Sequence, residues 1–311
     1  MRGQYFREIS LGCVFLVLLG VLGIFAPAFF DLQSLLSRLT AQTPAVVVVV
    51  GMALVMICRQ IDISVGAQVG VCAVLAGLVS AAGAPLVVVL GASVLAGATM
   101  GALNGWLVAG LGLPSIVVTL ATMATWQEAL RLFQQGKFVN LPVGVQWFGL
   151  SQVQGQIALI GGAVGFVALA AWAMKNLTLG RQIYAVGSDA EAARLAGIHP
   201  GWTTVGVFVA LGGLTGLAAV MNLVQSPQVD PMAGSGLEMK VIAAAVVGGV
   251  AVSGGRGRLW GVFVGLLLLS TVNPALTYLR VDSYWEKAIQ GLVILLAVIA
   301  DRFRRPPKLS E

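Results

Sequence analysis

Apolar runs long enough to cross a bilayer recur along almost the whole chain, separated by short polar connections. A hydrocarbon core about 30 Å thick takes roughly 20 residues of helix, and its backbone polar groups must be satisfied within the protein. By that measure the chain divides into ten spans, at about 9–30, 42–58, 64–83, 86–110, 114–133, 155–174, 203–224, 239–253, 259–275 and 286–301. The expected fold is an all-α polytopic membrane protein with about ten transmembrane helices, one transmembrane domain over 1–311. The first span is too long for a cleavable signal peptide, and Ala26-Pro27-Ala28 leads into further apolar residues. Two spans are weaker: 114–133 carries Gln127, Glu128 and Arg131 in its last turns, and 239–253 is short, with Glu238 and Lys240 at its start. Eight spans remain if the weaker ones are re-entrant.

Charge narrows the class and sets an orientation. Only 10% of residues are charged, against about 25% in soluble domains, which excludes a soluble enzyme, a nucleic-acid module and a disordered protein. The net charge of +6 comes from scattered cations, not from a basic patch. With ten spans, 12 of the 18 Lys and Arg fall on the side of the N-terminus and six on the other. Cation excess marks the cytoplasmic side, so both termini are expected there. Cys13, Cys58 and Cys72 lie in or beside apolar runs and read as small core residues, with no disulfide or metal spacing.

Glycines four apart line one helix face and let a neighbour approach backbone to backbone. The candidate pairs are Gly97/Gly101, Gly101/Gly105, Gly161/Gly165, Gly212/Gly216 and Gly261/Gly265. In so glycine-rich a chain any single pair has an even chance of being coincidental.

Residues with catalytic spacing are missing from the sequence. It contains no G-x-x-x-x-G-K-[ST] phosphate loop. Gly254-Gly255-Arg256-Gly257-Arg258 reads as a tight inner-face turn with anchoring arginines. His199, the single histidine, stands beside Pro200 with no carboxylate or cysteine near it in sequence. Asp62 and Glu128 are the nearest approach to intramembrane carboxylates, and both sit near span ends. No metal site and no enzyme constellation is expected.

The longest inner-face connection, 175–202, is more informative. Ser188-Asp189-Ala190-Glu191 has the form of a capping box, with Ser188 as N-cap and Glu191 reaching back. Gly197 is placed to end the following helix in a left-handed cap. A helix of about two turns is therefore expected between two spans. The residues alone leave it open whether this is a connector or a surface that docks into a partner.

Several segments resemble those of ABC importer permeases of the ribose/branched-chain amino acid permease family. The stretch from Ala185 to Ile198, A-V-G-S-D-A-E-A-A-R-L-A-G-I, is similar to the family's coupling-loop motif. Ile61-Asp62-Ile63-Ser64-Val65-Gly66 resembles I-D-[LV]-S-V-G; Asn104-Gly105 and Pro114 to Thr122 resemble its N-G and P-x-I-V-T-L-x-T segments. Val247-Gly248-Gly249 with Ser253 to Gly257 resembles its glycine-rich turn, and 291–298 its closing helix. The matches stand in family order along nearly the whole chain. Gly236 to Ala244, Lys137 and Tyr284-Trp285 are closer to the sugar branch, similar to permeases for rhamnose and autoinducer-2. One departure stands out: Arg59-Gln60 occupies a position where many sugar permeases have Gly-Gly.

The resemblance implies a transport subunit, not an enzyme, that moves a sugar or sugar-like solute such as rhamnose, autoinducer-2 or ribose from periplasm to cytoplasm. It implies a bacterial inner-membrane location, a second permease (identical or not), a cytoplasmic ATPase dimer that binds ATP and Mg, and a periplasmic solute-binding protein. No cofactor is expected in this chain. Coupling to the ATPase would fall to Gly187, Ser188, Glu191, Ala192, Arg194 and Gly197. Pathway candidates are the uncharged polar residues Asn104, Ser115, Thr119, Thr122, Asn222 and Asn273, which equally suit helix-to-helix hydrogen bonds. Outer-face candidates for binding-protein docking are Arg131, Lys137, Lys240, Arg280 and Lys287, which equally suit plain solvated loops. The competing class is a stand-alone secondary transporter of a small polar solute, which would need a coupling-ion site at mid-membrane.

Overall fold

A computed structural model describes the backbone from residue 2 to 282, except 143, and side chains from residue 11, with single positions beyond as far as 295. Among the described residues the chain is all-α apart from one two-residue strand pair. The helices are α1 (Arg2–Phe25), α2 (Leu32–Ile57), α3 (Val65–Ala81), α4 (Leu86–Gly110), α5 (Ser115–Gln134), α6 (Gln152–Asn176), α7 (Thr178–Ser188), α8 (Ala190–Leu195), α9 (Pro200–Leu223), α10 (Leu237–Val247) and α11 (Leu259–Tyr278). Strands β1 (Val139–Asn140) and β2 (Gln228–Val229) pair antiparallel, with Val139 opposite Val229. Five helices, α2, α4, α6, α9 and α11, are long and apolar enough to cross a membrane. Nine of the expected spans coincide with a helix; the tenth, 286–301, lies largely outside the described residues.

Helix α2 is the hub: 83% of its apolar window is buried, against 22% for α4 and for α6. It begins ten residues before the expected start at 42, because Asp31 caps it by accepting a 3.2 Å hydrogen bond from Ser34 N–H. Pro44 sits inside the helix and leaves the Thr40 carbonyl without its usual donor. The Thr43 hydroxyl takes that role, donating to Thr40 O at 2.8 Å, and the helix continues.

The α4–α9 crossing is built on glycine. A methyl on Gly97 would overlap the Gly212 carbonyl, one on Gly101 the Phe208 carbonyl, and one on Gly216 the Ser93 carbonyl. Gly105 faces Val205, so the two helices run antiparallel with their backbones in contact. Gly265 packs in the same way on α10 at Ala244 and Gly248. By contrast Gly161 and Gly165 of α6 face open space.

Helix ends repeat one device. The residue after the C-cap takes a left-handed conformation while two N–H groups turn back onto the last carbonyls. Gly83, Gly197 and Gly249 do this with the conformational freedom of glycine. Arg59 (φ 66°) and Arg280 (φ 57°) occupy the same slot with full side chains. At Arg59 the pattern is complete: Arg59 N–H donates to Met56 O and Gln60 N–H to Val55 O, each at 3.0 Å.

Candidate functional site

Two constellations stand apart from the apolar core, and both touch the break between α2 and α3. The first gathers α7, α8 and the 248–258 turn around the end of α2. Gly187, near the end of α7, lies against the Ile57 carbonyl so closely that a methyl would overlap it. The same carbonyl accepts a 2.8 Å hydrogen bond from Gly255 N–H. Gly254 (φ 80°) and Gly255 (φ 71°) form the tight turn expected there, packed on Arg59 and Ser188 respectively. Tyr184 adds a side-chain tie by donating to Gly257 O at 2.7 Å. Burial pushes the Tyr184 phenol pKa upward, with the charge of Arg258 opposing.

Helix α8 projects from this junction. Its cap differs from the expected capping box: Ser188 is the last residue of α7, and Asp189 is the N-cap. The Asp189 carboxylate accepts from Glu191 N–H at 2.9 Å and Ala192 N–H at 3.0 Å. An ionised cap bonds the first-turn N–H groups more strongly than a serine hydroxyl, which explains the one-residue shift. Glu191 is thereby free to pair with Arg194 at 2.6 Å, and the carboxylate holds the guanidinium pKa above its usual value. Gly197 (φ 83°) closes the helix as expected, with Gly197 N–H on Arg194 O and Ile198 N–H on Ala193 O. Ala193 points inward while Glu191, Ala192 and Arg194 are exposed together. Helix α7 was not anticipated at all. Its signal was present in the spacing of Gly180, Ile183 and Gly187, which lie on one face and are buried.

The second constellation is a fully buried polar network. Asp62 Oδ1 accepts from Ser64 N–H at 2.8 Å and from the Ser64 hydroxyl at 2.5 Å. Its Oδ2 accepts from Gln68 Nε2 at 3.2 Å and Asn104 Nδ2 at 3.3 Å. Ser64 Oγ also accepts from both amides at 2.9 Å, and the Thr215 hydroxyl reaches Gln68 Oε1 at 3.3 Å. The network joins the α2–α3 break to α3, α4 and α9. Asp62 thus sits just before the start of α3, near a span end as expected, yet is fully buried, and Gln68 and Thr215 were unread in the sequence because single polar residues in apolar runs carry no spacing signal.

The expected pathway residues do not form one site. Asn104 belongs to the network; Ser115 accepts from Ile61 N–H at 3.2 Å at the base of α5. The Thr119 and Thr122 hydroxyls bond backward to carbonyls of their own helix. Asn222 and Asn273 are half-buried near the ends of α9 and α11. Of the docking candidates, Arg131 is exposed and paired with Glu128 at 2.7 Å, and Lys137, Arg280 and Lys287 are exposed. Lys240 is half-buried instead, with its ammonium on Gln42 Oε1 at 2.6 Å. Cys58 and Cys72 are buried as expected, whereas Cys13 is exposed.

Residues 34–298 match the family described as branched-chain amino acid transport system, permease component. The chain belongs to that family. Among its relatives are autoinducer 2 import system permease proteins LsrC. The one from Enterobacter sp. (strain 638) is 36% identical over 297 residues, covering 95% of this chain and 86% of that protein. Those from Salmonella typhi and Escherichia coli O157:H7 are each 32% identical over 95% of this chain, covering 85% and 86% of their own lengths. No solved structure matches the chain. It is a permease component of an ABC-type transporter and a multi-pass membrane protein.

Proposed function

We propose that this chain is the transmembrane subunit of an ABC importer carrying a sugar or sugar-like solute, of the kind of rhamnose, autoinducer-2 or ribose, into the cytoplasm. In this reading it crosses the bacterial inner membrane ten times with both termini inside. It pairs with a second permease, receives solute from a periplasmic binding protein, and rests on a cytoplasmic ATPase dimer that binds ATP and Mg.

The observation that carries the proposal is the junction at Gly187. Helix α8 presents Glu191, Ala192 and Arg194 outward, while α7 behind it meets α2 and the 254–255 turn through backbone contacts with no slack. Closure of the ATPase dimer on ATP pushes α8; α7 transmits the displacement to α2 and, through the chain, to α6 and α9. ATP then acts by favouring one of two arrangements of the bundle. The similarity to autoinducer-2 import permeases over 95% of the chain supports a sugar-like cargo.

The deciding experiment is a mild-detergent pull-down of the tagged chain from its native membrane, with mass spectrometry of what accompanies it. Recovery of a P-loop ATPase is expected, and a second permease in equal amount would establish a heterodimer. A lone chain, with no ATPase even after crosslinking, would overturn the importer reading in favour of a stand-alone transporter.

A further inference from the structure

Between α3, the last turns of α5 and the segment joining β2 to α10 lies a cavity of about 60 Å³. It is lined by Gly66, Gly70, Gln127, Arg131, Asp230 and Ser235 among others. That volume holds a few water-sized groups, so it takes one edge of a solute and not a whole molecule. Glycines make the site. The joining segment runs back along α3, with Val229 at Gly77, Pro231 at Gly70 and Gly234 at Gly66, and a methyl at Gly66 or Gly234 would overlap the facing backbone. Non-helical backbone inside a membrane bundle is tolerated where it is buried in protein or lines a cavity, and short helices that follow such breaks point to binding sites. Here α10, only 11 residues long, begins directly after the break.

The polar groups at this place have hydrogen-bonding capacity to spare. Asp230 accepts from Met232 N–H at 2.8 Å through Oδ1, and its Oδ2 bonds no described residue. The Gln127 amide and the Ser235 hydroxyl bond no other described residue. Beside Gly66, Glu238 accepts from Gly236 N–H through Oε1 at 3.2 Å, while its Oε2 is buried with no hydrogen-bond partner among the described residues. The cation in the described lining, Arg131, has its charge offset by Glu128, 2.7 Å from one guanidinium nitrogen, and keeps its other N–H groups. The charge of Lys287 reaches Glu238 without a hydrogen bond to Oε2. A ligand that suits such a mixed set brings hydroxyls, which both donate and accept, and no negative charge. A carboxylate would meet Asp230 and Glu238 with like charge, at a cost that grows as water is excluded.

We infer that this cavity is a hydroxyl-recognition subsite on the solute path, in which Asp230, Gln127 and Ser235 receive a neutral polyhydroxylated solute, while Asp230 and the charge of Glu238, outside the lining behind Gly66, disfavour one bearing a carboxylate. The inference rests on the importer reading and gives it a discriminating residue set.

The test uses the assembled transporter in vesicles, with Ser235→Cys introduced on a Cys13→Ser background and a positively charged methanethiosulfonate as the labelling probe. D-ribose and L-rhamnose are expected to slow labelling, and L-leucine is expected to leave it unchanged. Asp230→Asn, a change at an exposed side chain, should raise the half-protecting sugar concentration about tenfold, because a bond to a charged acceptor is lost. Glu238→Gln should weaken protection in the same direction. Protection by leucine equal to that by the sugars would overturn the inference, as would no protection by either sugar, or protection untouched by both variants. If the same vesicles hydrolyse ATP, such a result sinks the subsite alone; vesicles without a recoverable ATPase sink the importer reading instead.

Discussion

Gly187 and Ile57 meet backbone to backbone: a methyl on Gly187 would overlap the Ile57 carbonyl oxygen, which already accepts the Gly255 N–H at 2.8 Å. Gly187→Ala must therefore push α7 away from α2 or break that hydrogen bond, an overpacking cost of about 1–3 kcal/mol. Solute moved per ATP hydrolysed is expected to fall severalfold while the subunit still assembles. Unchanged stoichiometry in reconstituted vesicles would remove the junction from the coupling path.

Glu191 and Arg194 pair at 2.6 Å on the surface of α8 with both side chains mostly exposed. An exposed pair of this spacing contributes little to stability, so the Glu191→Gln/Arg194→Gln double variant should melt close to the parent. ATP-driven uptake, in contrast, is expected to collapse. Uptake at parental rates would show that α8 is a connector only.

Arg59 holds a left-handed conformation that disfavours any residue with a Cβ. Arg59→Gly is expected to leave stability level or raise it by up to about 1 kcal/mol, and Arg59→Val to lower it by about 1–2 kcal/mol. Thermal unfolding in detergent reads the difference, and a lower melting temperature for the glycine variant would contradict the strain account.

Glycines with the same spacing should respond in opposite ways. Gly101→Ala places a methyl on the Phe208 carbonyl and should cost at least about 2 kcal/mol by forcing α4 off α9. Gly161→Ala meets open space and should be neutral or stabilising, since alanine is the better helix former by about 1 kcal/mol. Paired melting curves of the two variants check this.

Removing the Asp62 carboxylate leaves four donors, from Ser64, Gln68 and Asn104, facing an empty centre. Each unmet buried group costs about 1–3 kcal/mol, so Asp62→Ala should fail to give a monodisperse subunit on size exclusion. Asp62→Asn keeps the shape and two of the acceptor positions and should survive with reduced stability. A well-behaved alanine variant would mean the network is not structural.

The bilayer requirement made most helices legible. Helix α4 was read to the residue, because Pro85 and the turn at Leu111–Gly112 bound an uninterrupted apolar run. Helix α2 was read ten residues short, because its first three turns carry Gln33, Ser34, Ser37, Arg38 and Gln42. Arg38 is half-buried, held by the carbonyl and ring of Phe29 nine residues before it and by Tyr278 Oη, a contact between segments far apart in sequence. Of the candidate site, the coupling helix and its Gly197 stop were visible, since caps are local chemistry. The cap itself was misassigned by one residue because Ser188 and Asp189 are both good caps and α7, which consumes Ser188, was missed.

What the sequence determined by itself was that its apolar segments are helical, roughly where most of them turn and which family they match, because hydrocarbon solvent forces each backbone to satisfy itself within its own segment. Which polar and small residues matter was decided only by tertiary structure. Gly97, Gly101 and Gly212 lie in contact while Gly161 and Gly165 face outward, although all share one spacing. Asp62 gained its place by meeting Gln68 and Asn104, with Thr215 joined through Gln68, and Glu238 by pressing against Gly66. Those relationships depend on which helix face meets which neighbour, and between apolar helices that choice is made by close packing and rare buried hydrogen bonds, neither of which has a period along the chain.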